Sequence, residues 1–376
     1  MHTTGELRLV SNVEPGPEEL VFETADGVHS PGGFRTAELL LAEVVEPEPD
    51  ERVLVVDGNY GVLATAMGTL ARATATEGNA RRATLCRRNA ERNGADVDVE
   101  LVADVAELNR PFDRAVYAPY PYDPVRVARW KLADALALVR PAGTVHLAAA
   151  PEDGGTRLVD AAAEWGGDPE RVTRSEGVRV HRVHRPAEFA SPAPPPAERY
   201  REVSDALLGE ERTFVTRPGL FSPDGVDRGT RLLAETVARE ATLDGARLLD
   251  IACGYGALGT ALGGAATTLS LTDASRPATA CAERTVRRAG LRASVHTADA
   301  ADGVTGPFDL VVMNPPTHAG RGVTDDLFRG ARSVLATDGR LWLVYNETLA
   351  YEDSLPFSAV EVVRREAGYT VARARG

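Results

Sequence analysis

Cysteine is scarce in this sequence. The 376 residues include three cysteines, Cys86, Cys253 and Cys281, which lie far apart and form no CxxC pair. The spacing provides neither a CxxC pair nor a cluster of cysteine ligands for a metal. We expect reduced thiols, a cytoplasmic location and no bound metal.

Long apolar runs are also missing. No stretch approaches the ~20 apolar residues that a membrane-spanning helix requires. The first segment, MHTTGELRLVSNVEPGPEEL, has neither a basic start nor an apolar core, so the sequence predicts no signal peptide and no membrane partner. The hydrophobic content of 43% is still enough for the cores of two ordinary domains.

Lysine is almost absent, since Lys131 is the one example, and arginine carries nearly all positive charge. The net charge is −13, but residues 1–51 hold 12 acidic and two basic side chains, and the rest of the chain has a net charge of only −3. The acidic balance therefore does not exclude a nucleic-acid partner, and arginine binds phosphate through a planar fork of donors.

The chain repeats itself. VLVVDGNYGVLATAMG (53–68) aligns without gaps with LLDIACGYGALGTALG (248–263), and PFDRAVYAPY (111–120) aligns with PFDLVVMNPP (307–316). Four prolines within 192–196 separate the copies, and they are incompatible with a helix interior or a central strand. We predict an internal duplication, with a first domain over 1–190, a proline-rich linker over 191–198 and a second domain over 199–376.

Short apolar runs alternate with amphipathic stretches in both copies. In the second copy we predict a helix over 276–290 and strands over 246–252, 268–274, 293–299, 308–314, 339–345 and the C-terminal tail. Such alternation indicates a mostly parallel sheet covered on both faces. The fold class is therefore α/β, with two tandem doubly wound, Rossmann-like domains.

A glycine-rich loop follows the first strand of the second copy. Gly254, Gly256 and Gly259 in DIACGYGALG (250–259) form a GxGxxG pattern. The pattern suits a ligand at a strand-to-helix turn, but it is equally compatible with a tight turn alone or with a nicotinamide cofactor.

Three acids add weight to the ligand hypothesis. Asp250, Asp273 and Asp299 stand at the carboxyl ends of three successive predicted strands, where ligands bind in open parallel sheets. Asp273 can bind two ribose hydroxyls and Asp299 can meet an adenine amino group, although an ordinary surface aspartate explains Asp299 equally well.

An asparagine and two prolines follow the fourth strand, in VVMNPPTHAG (311–320). The two proline rings should stiffen the strand exit and present the Asn314 side chain and the Pro315 carbonyl as adjacent acceptors. Two acceptors suit an amine with two N–H donors, whose lone pair then faces an electrophile. If that electrophile is the methyl group of S-adenosylmethionine, the pattern predicts methyl transfer to nitrogen, driven by positioning and charge stabilisation. The other interpretation is a strand-ending turn.

With these motifs the sequence resembles the class I S-adenosylmethionine-dependent methyltransferases, and among them the two-domain ribosomal RNA guanine-N2 methyltransferases of the small-subunit methyltransferase C type. The resemblance rests on GLFSPDGVDRGTRLL (219–233), LLDIACGYGALG (248–259), LTDAS (271–275) and NPPTH (314–318). It implies a catalytic second domain and a first domain without activity. The implied cofactor-binding residues are Asp250, Ala252, Gly254, Gly256, Asp273, Asp299 and Asn314.

The same resemblance implies roles on the acceptor side. The implied catalytic residues are Asn314, Pro315 and Pro316, of which Asn314 and Pro315 hold the target amine. Those implied to contact the substrate are Phe221, Asp224, Thr317 and His318. The family usually has an aromatic residue at the position of Thr317, which can stack on a flipped-out base. The candidates to replace that ring are Phe221, Tyr255 and Tyr345, although packing also explains each of them.

The first copy has lost the key polar groups of the second. Val55 stands at the position of Asp250, Asn59 at that of Gly254, and Ala118 at that of Asn314, while Glu77 and Asp104 lie near the positions of Asp273 and Asp299. Valine cannot accept a hydrogen bond and alanine cannot orient an amine. We therefore expect a degenerate, non-catalytic first domain.

Arginines suggest what the first domain does. RVTRSEGVRVHRVHR (171–185) contains five arginines and one glutamate, and its candidate RNA contacts are Arg174, Arg179 and Arg182. Such a patch can hold phosphates without recognising sequence, although a solvated strand face explains it equally well.

The favoured function is transfer of a methyl group to guanine N2 of ribosomal RNA by a monomeric enzyme whose partner is RNA or a ribosomal subunit. An adenine N6 or a protein glutamine as acceptor remains open, because Asn-Pro-Pro fixes the atom type better than the molecule. A non-catalytic RNA-binding or assembly factor is the hypothesis from another class. A nicotinamide dehydrogenase offers no reason for the Asn-Pro-Pro sequence.

Overall fold

The computed structural model describes residues 1–10, 17–317 and 319–376, apart from the side chain of Asp353. These residues form two compact units, one over Thr3–Arg199 and one over Tyr200–Gly376 together with Met1 and His2. We call them the N-terminal and the C-terminal unit. None of the described helices is long and apolar enough to cross a membrane.

The N-terminal unit opens with a hairpin and continues as alternating strands and helices. Its elements are β1 Thr3–Val10, β2 Glu19–Ala25, α1 Thr36–Val44, β3 Arg52–Val56, α2 Val62–Gly68, β4 Arg72–Glu77, α3 Ala80–Arg92, β5 Val97–Leu101, β6 Phe112–Tyr117, α4 Val125–Leu138, β7 Val139–Ala149, α5 Thr156–Glu164, β8 Glu170–Ser175 and β9 Val178–His184.

The C-terminal unit repeats this plan, except that two short 3₁₀ helices, Glu347–Leu349 and Tyr351–Asp353, stand where the N-terminal unit has α5. Its elements are β10 Arg201–Leu207, β11 Glu210–Thr216, α6 Arg228–Glu240, β12 Arg247–Ile251, α7 Ala257–Leu262, β13 Thr268–Asp273, α8 Arg276–Arg288, β14 Ser294–Thr297, β15 Phe308–Met313, α9 Arg321–Val334, β16 Leu335–Asn346, β17 Ala359–Glu366 and β18 Tyr369–Arg375.

The two seven-stranded sheets have the same topology. Their strand orders are β5-β4-β3-β6-β7-β9-β8 and β14-β13-β12-β15-β16-β18-β17. The first five strands of each order are parallel. The sixth strand, β9 or β18, runs antiparallel to the fifth, and the edge strand, β8 or β17, runs antiparallel to the sixth. The prediction of two tandem doubly wound domains from a duplication is thus confirmed.

The central strands are apolar because both of their faces are covered. Leu248 packs in one core cluster of the C-terminal unit, whereas Leu249 packs in the cluster on the other face of the sheet. Successive strand residues point to opposite faces, so a strand buried on both sides is a continuous apolar run.

The strand order places the site. In parallel register Ile251 is paired with Met313, so the chain leaves β12 and its neighbour β15 at the same level. Beyond β12 the strand order runs toward β13, and beyond β15 toward β16, so this is the switch point where open α/β sheets bind ligands. The glycine-rich loop and Asn314 are therefore brought together.

The hairpins β1–β2 and β10–β11, one at the start of each unit, were not predicted. Between β10 and β11 the turn residues Leu208 and Gly209 both have positive φ, 57° and 78°. That combination is a type I′ turn, which asparagine–glycine or aspartate–glycine normally marks. Leucine gives no such signal, so the hairpin could not be predicted from the turn sequence.

The proline-rich segment is held by a buried arginine. Arg199, at the end of a short 3₁₀ helix that begins at Pro196, lies 2.7 Å from Asp104 and 2.7 Å from Asp134. All three side chains are at most 3% exposed, and the guanidinium also lies over the Trp130 ring, 5.3 Å from its centre. Burial of this charge is favourable only while both carboxylates face it.

We therefore expect Arg199→Met to destabilise the N-terminal unit by about 3–5 kcal/mol, because it leaves two carboxylates buried without their cation. Urea unfolding followed by tryptophan fluorescence measures this, since Trp130 lies against the arginine. Arg110→Met is the matched control: its ion pairs with Asp98 and Glu100 are exposed, and its cost should stay below about 1 kcal/mol. Equal effects of the two substitutions would contradict the assignment.

Candidate functional site at the switch point of the second sheet

Two carboxylates hold the glycine-rich loop from behind. The Gly254 N–H donates to Asp273 Oδ2 at 2.9 Å, and the Ser275 N–H donates to Asp273 Oδ1 at 2.8 Å. The Gly259 N–H donates to Asp250 Oδ2 at 2.8 Å. Both acids predicted to bind a cofactor are thus already engaged with the backbone. Each carboxylate oxygen has further lone-pair capacity, so a hydroxyl can still donate to it.

The three glycines of the loop differ in what surrounds them. A Cβ at Gly259 would come within 2.9 Å of the Asp250 carboxylate, so this position needs close backbone approach. Gly256 has a φ of 83° and faces Leu271 and Ala282. Gly254 also has a positive φ, 56°, but nothing lies within 4 Å of its missing side chain. The open space in front of the loop is therefore at Gly254.

The loop also contains a strained alanine. Ala252 has a φ of 57°, a conformation that L residues with a side chain rarely adopt. It directs the chain from the end of β12 into the loop and lines the small cavity described below. Strained residues of this kind persist where the surrounding structure enforces them, and they cluster at binding sites.

The amide of Asn314 is oriented by the start of helix α6. Its Nδ2 donates to Thr230 Oγ1 at 3.0 Å and, at a longer 3.4 Å, to Asp227 Oδ1. Asp227 is the N-cap of α6, since its carboxylate also accepts from the Thr230 N–H at 3.1 Å. With the NH₂ end engaged, Asn314 Oδ1 is the end that remains to accept from a substrate.

The roles of Asp227 and Thr230 were not predicted from the sequence. Both lie in GLFSPDGVDRGTRLL (219–233), and an aspartate three residues before a threonine at a helix start was a usable N-cap signal. What the sequence could not show is that this helix start lies against the exit of β15.

A small cavity joins the two halves of the site. Its lining combines the loop with the acceptor residues and comprises Phe221, Ser222, Asp227, Thr230, Asp250, Ala252, Cys253, Gly254, Tyr255, Ala257, Leu258 and Asn314. The predicted cofactor-binding residues Gly256, Asp273 and Asp299 lie outside this lining. Asp273 is one hydrogen bond behind the loop, and the buried Asp299 follows β14, which ends two residues earlier than predicted.

The acceptor-side predictions differ in outcome. Pro315 is buried, while Pro316 and Thr317 are exposed, and His318 lies outside the described residues. Phe221 lines the cavity with its side chain 75% exposed. Asp224 does not line it, because its carboxylate turns to Arg201.

Two of the three candidate stacking rings are occupied elsewhere. Tyr255 is buried, packs against Phe214 and donates its hydroxyl to the Gly225 carbonyl at 2.9 Å. Tyr345 is fully buried, lies against Tyr351 and is hydrogen-bonded to Glu352. Phe221 is the candidate that remains free to face a base.

The corresponding loop of the N-terminal unit has the same backbone but is filled. Asp57, Asn59 and Gly61 have φ values of 63°, 50° and 97°, against 57°, 56° and 83° for Ala252, Gly254 and Gly256. The Asn59 side chain occupies the space of its own unit that is equivalent to the open space at Gly254, and it is completely buried. It accepts from the His29 N–H at 3.0 Å and donates to the His29 carbonyl at 2.9 Å.

The acids that surround this loop are also engaged in hydrogen bonds or ion pairs. Glu77 accepts from the Asn59 N–H at 3.0 Å and from the Tyr120 hydroxyl at 2.9 Å. Lys131, the sole lysine, bridges Asp57 and Asp123 at 2.8 and 2.7 Å, and Asp104 binds Arg199 as described above. Polar groups that face a ligand in a working site are here bonded to one another.

The arginines of the β8–β9 hairpin lie partly free. Arg174 and Arg179 are exposed and pair directly across the two strands, whereas Arg182 is half-buried and binds Glu170 at 2.6 Å. Like charges directly opposite each other destabilise a sheet, so Arg174 and Arg179 are a feature that folding alone does not favour. Among the described residues no group of three or more His, Cys, Asp or Glu could hold a metal ion.

Burial perturbs Asp250 strongly. It raises the pKa of this carboxyl from 3.8 to about 8, although the Gly259 N–H works in the opposite direction. Since the pKa is raised on folding, the protonated form is favoured in the folded state. Its contribution to stability is complete below about pH 4 and is lost as the pH rises through 8.

We expect Asp250→Asn to flatten the pH dependence of stability in the C-terminal unit between about pH 4 and 8. Asparagine keeps an acceptor for the Gly259 N–H and cannot ionise. Urea unfolding free energies across this range measure the effect, with the exposed Asp302→Asn as the control, which should follow the wild-type curve. If Asp250→Asn and wild type run parallel, the carboxyl does not titrate as stated.

Comparison with known proteins agrees with this geometry. Residues 211–373 match the model of the methyltransferase small domain. A ribosomal RNA small subunit methyltransferase C of Sodalis glossinidius is 37% identical over 152 residues, which cover 39% of this chain and 43% of that protein. Its namesake from Escherichia coli is 34% identical over 170 residues, covering 43% of this chain and 49% of that protein. The chain thus spans just under half the length of the curated relatives it matches.

A solved structure extends the likeness to the whole chain. The Thermus thermophilus 16S rRNA N2 G1207 methyltransferase RsmC, in complex with AdoMet and guanosine, superimposes with a TM-score of 0.80 at 25% identity. The match covers 99% of this chain and 98% of that one. Residues 211–373 thus match the methyltransferase small-domain family, and the chain as a whole shares its two-domain fold with that solved structure.

Proposed function

We propose that this protein transfers a methyl group from S-adenosylmethionine to an exocyclic amine of RNA, and that the amine is guanine N2 of ribosomal RNA. The observation that carries the proposal is the fixed amide of Asn314, whose NH₂ end is held by Thr230 and whose oxygen is left to accept. The names of the relatives support the choice of ribosomal RNA.

The residues at the switch point fit the cofactor. The open space at Gly254 is the place where an extended ligand can lie against the loop, and the N–H groups of a helix start follow it. Asp273 would hold the ribose hydroxyls from behind Gly254, and Asp299 would meet the adenine. Asp250 and Ala252 would line the end nearest Asn314. When bound, the cofactor supplies an electrophilic methyl group.

The acceptor residues would orient the amine. Asn314 Oδ1 and the Pro315 carbonyl would each accept one N–H, which leaves the nitrogen lone pair directed away from both oxygens. As the nitrogen becomes positive, both dipoles stabilise the developing charge. Pro316 would keep the strand exit rigid, and Thr317 and His318 would border the base. Most of the rate would come from the positioning of Asn314, to which Thr230 and Asp227 contribute.

The base itself would be held by other groups than in the usual family pattern. With threonine at position 317, the exposed ring of Phe221 at the rim of the cavity is our candidate for stacking. Asp224 has a smaller role in this proposal, because Arg201 engages its carboxylate.

The N-terminal unit would bind RNA without catalysis. Its loop is filled by Asn59, and the exposed Arg174 and Arg179 would contact phosphates, with Arg182 beside them. We place the non-catalytic domain at 1–190, the linker at 191–198 and the catalytic domain at 199–376. A monomer acting in the cytoplasm, where its three buried cysteines stay reduced, completes the proposal.

Gly254→Asn should abolish cofactor binding without unfolding the protein. Asparagine adopts the required positive φ, as Asn59 does, and its side chain would enter the open space. We expect calorimetry to give one cofactor per wild-type chain and an affinity at least about a hundredfold lower for the variant. Gly264→Asn, at an exposed glycine with equal free space, is the control. Unchanged affinity, or two sites per wild-type chain, would refute this part of the proposal.

Asn314→Ala should lower kcat for methyl transfer by at least about a hundredfold while the cofactor Kd stays near the wild-type value. Thr230→Val removes the hydroxyl that holds the amide and should lower kcat by about ten- to a hundredfold, whereas Thr230→Ser retains it. Turnover that survives Asn314→Ala would overturn the mechanism.

Incubation with labelled cofactor identifies the acceptor. Small and large ribosomal subunits, their naked RNA and a glutamine-containing protein fraction are supplied separately, and the modified nucleotide is mapped. Label in guanine N2 is the expected result. Label in adenine or protein would transfer the proposal to that acceptor class, and tight cofactor binding without label would favour an assembly factor.

A further inference from the structure

The segment after β6, which corresponds to the Asn-Pro-Pro segment of the C-terminal unit, has an exposed aromatic surface. Tyr122 lies five residues beyond the end of β6, at the carboxyl edge of the sheet, and 55% of it is exposed. Its ring stacks on that of Tyr120, with the centres 5.2 Å apart and the planes 7° from parallel. We call these two rings the tyrosine platform.

The local sequence explains why the two rings stack. Prolines stand at 119, 121 and 124 of YAPYPYDP (117–124), and Tyr120–Asp123 form a tight turn in which the Asp123 N–H donates to the Tyr120 carbonyl at 3.1 Å. This turn brings the rings of Tyr120 and Tyr122 together. The same prolines leave the segment few alternative shapes, so the platform is preorganised.

The inner ring of the platform is fixed from several sides. Tyr120 donates its hydroxyl to Glu77 at 2.9 Å, and Arg82 lies over its ring, 4.7 Å from the centre. The His29 ring contacts both tyrosines edge-on, at 5.7 and 5.5 Å. Since Asn59 holds the backbone of His29, the residue that fills the loop also supports the platform.

The outer ring is fixed but uncovered. Arg82 lies 5.8 Å from the centre of the Tyr122 ring, and Tyr120 covers one of its faces. Among the described residues four large hydrophobic side chains are exposed, namely Val10, Tyr122, Val172 and Phe221. The two aromatic members lie one in each unit, and Phe221 lines the candidate site. A rigid, exposed ring backed by a second ring and an arginine is the surface on which an unpaired nucleobase stacks.

We propose that the tyrosine platform binds an unpaired base of the RNA substrate by stacking on Tyr122. The inference rests on the proposed function, because it takes RNA as the partner. It assigns to the N-terminal unit a contact with a base that is separate from the phosphate contacts of Arg174 and Arg179. The two kinds of contact differ in salt dependence, since stacking releases no counterions.

Four full-length proteins test the proposal: wild type and the variants Tyr122→Ala, Tyr122→Leu and Tyr122→Trp. Their affinity for a short, fluorescein-labelled single-stranded oligoribonucleotide is measured by anisotropy over a series of salt concentrations. We expect alanine and leucine to weaken binding by between about five- and 150-fold and tryptophan to restore it. The slope of affinity against salt should be the same in all four, whereas Arg174→Ala with Arg179→Ala should reduce it.

Two further measurements separate stacking from a structural effect. Thermal unfolding of the four proteins should agree, because Tyr122 is exposed. The added tryptophan fluorescence of Tyr122→Trp should be quenched by the oligoribonucleotide and not by a strand of the same length whose bases are removed. Equal binding by wild type and the leucine variant, or quenching by the abasic strand, would overturn the platform.

The outcomes distinguish the two proposals. A wild-type protein that binds and methylates no RNA refutes the proposed function, and the platform falls with it. A wild-type protein that methylates RNA, together with an alanine variant of unchanged affinity, refutes the platform alone.

Discussion

In both units a carboxylate at the end of the second parallel strand accepts the backbone N–H at the same position of the loop after the first strand. Asp273 does so for Gly254 at 2.9 Å, and Glu77 does so for Asn59 at 3.0 Å. The hydrogen bond fixes a chain segment that otherwise has three positive φ angles and little reason to keep them. The start of the next helix, the open space in front of the loop and the approach of β15 all depend on that fixed segment, whether or not a ligand occupies it.

The architecture could be predicted from the sequence because the two copies can be compared position by position. Two gapless copies of a strand-loop-helix pattern restrict the topology, and the apolar strands reflect a sheet buried on both faces. The site was only partly predictable. Asp250, Gly254 and Asn314 could be located since each sits at a strand end, but the contact of Thr230 with Asn314 joins residues 84 positions apart. The role of Arg199 was equally hidden, because its partner Asp104 had been assigned by analogy with Asp299.

The two units show how little separates an open loop from a filled one. Their backbones agree at the three strained positions, and the decisive difference is the side chain at Gly254 or Asn59. The same comparison explains why three acids in order are weak proof of a site. Glu77 and Asp104 stand where Asp273 and Asp299 stand, yet they bind a loop, a tyrosine and an arginine of the same unit.

The contacts of Asn59 make the filled loop harder to reopen than the open loop is to fill. A single change from glycine to asparagine closes the space at no cost in backbone conformation, since asparagine tolerates the left-handed region. The reverse change is not equivalent: removing the Asn59 amide would leave the N–H and carbonyl of His29 without their partners and withdraw support from the tyrosines beside it. A loop filled in this way is therefore hard to reopen by one substitution, and each contact around Asn59 adds to that difficulty.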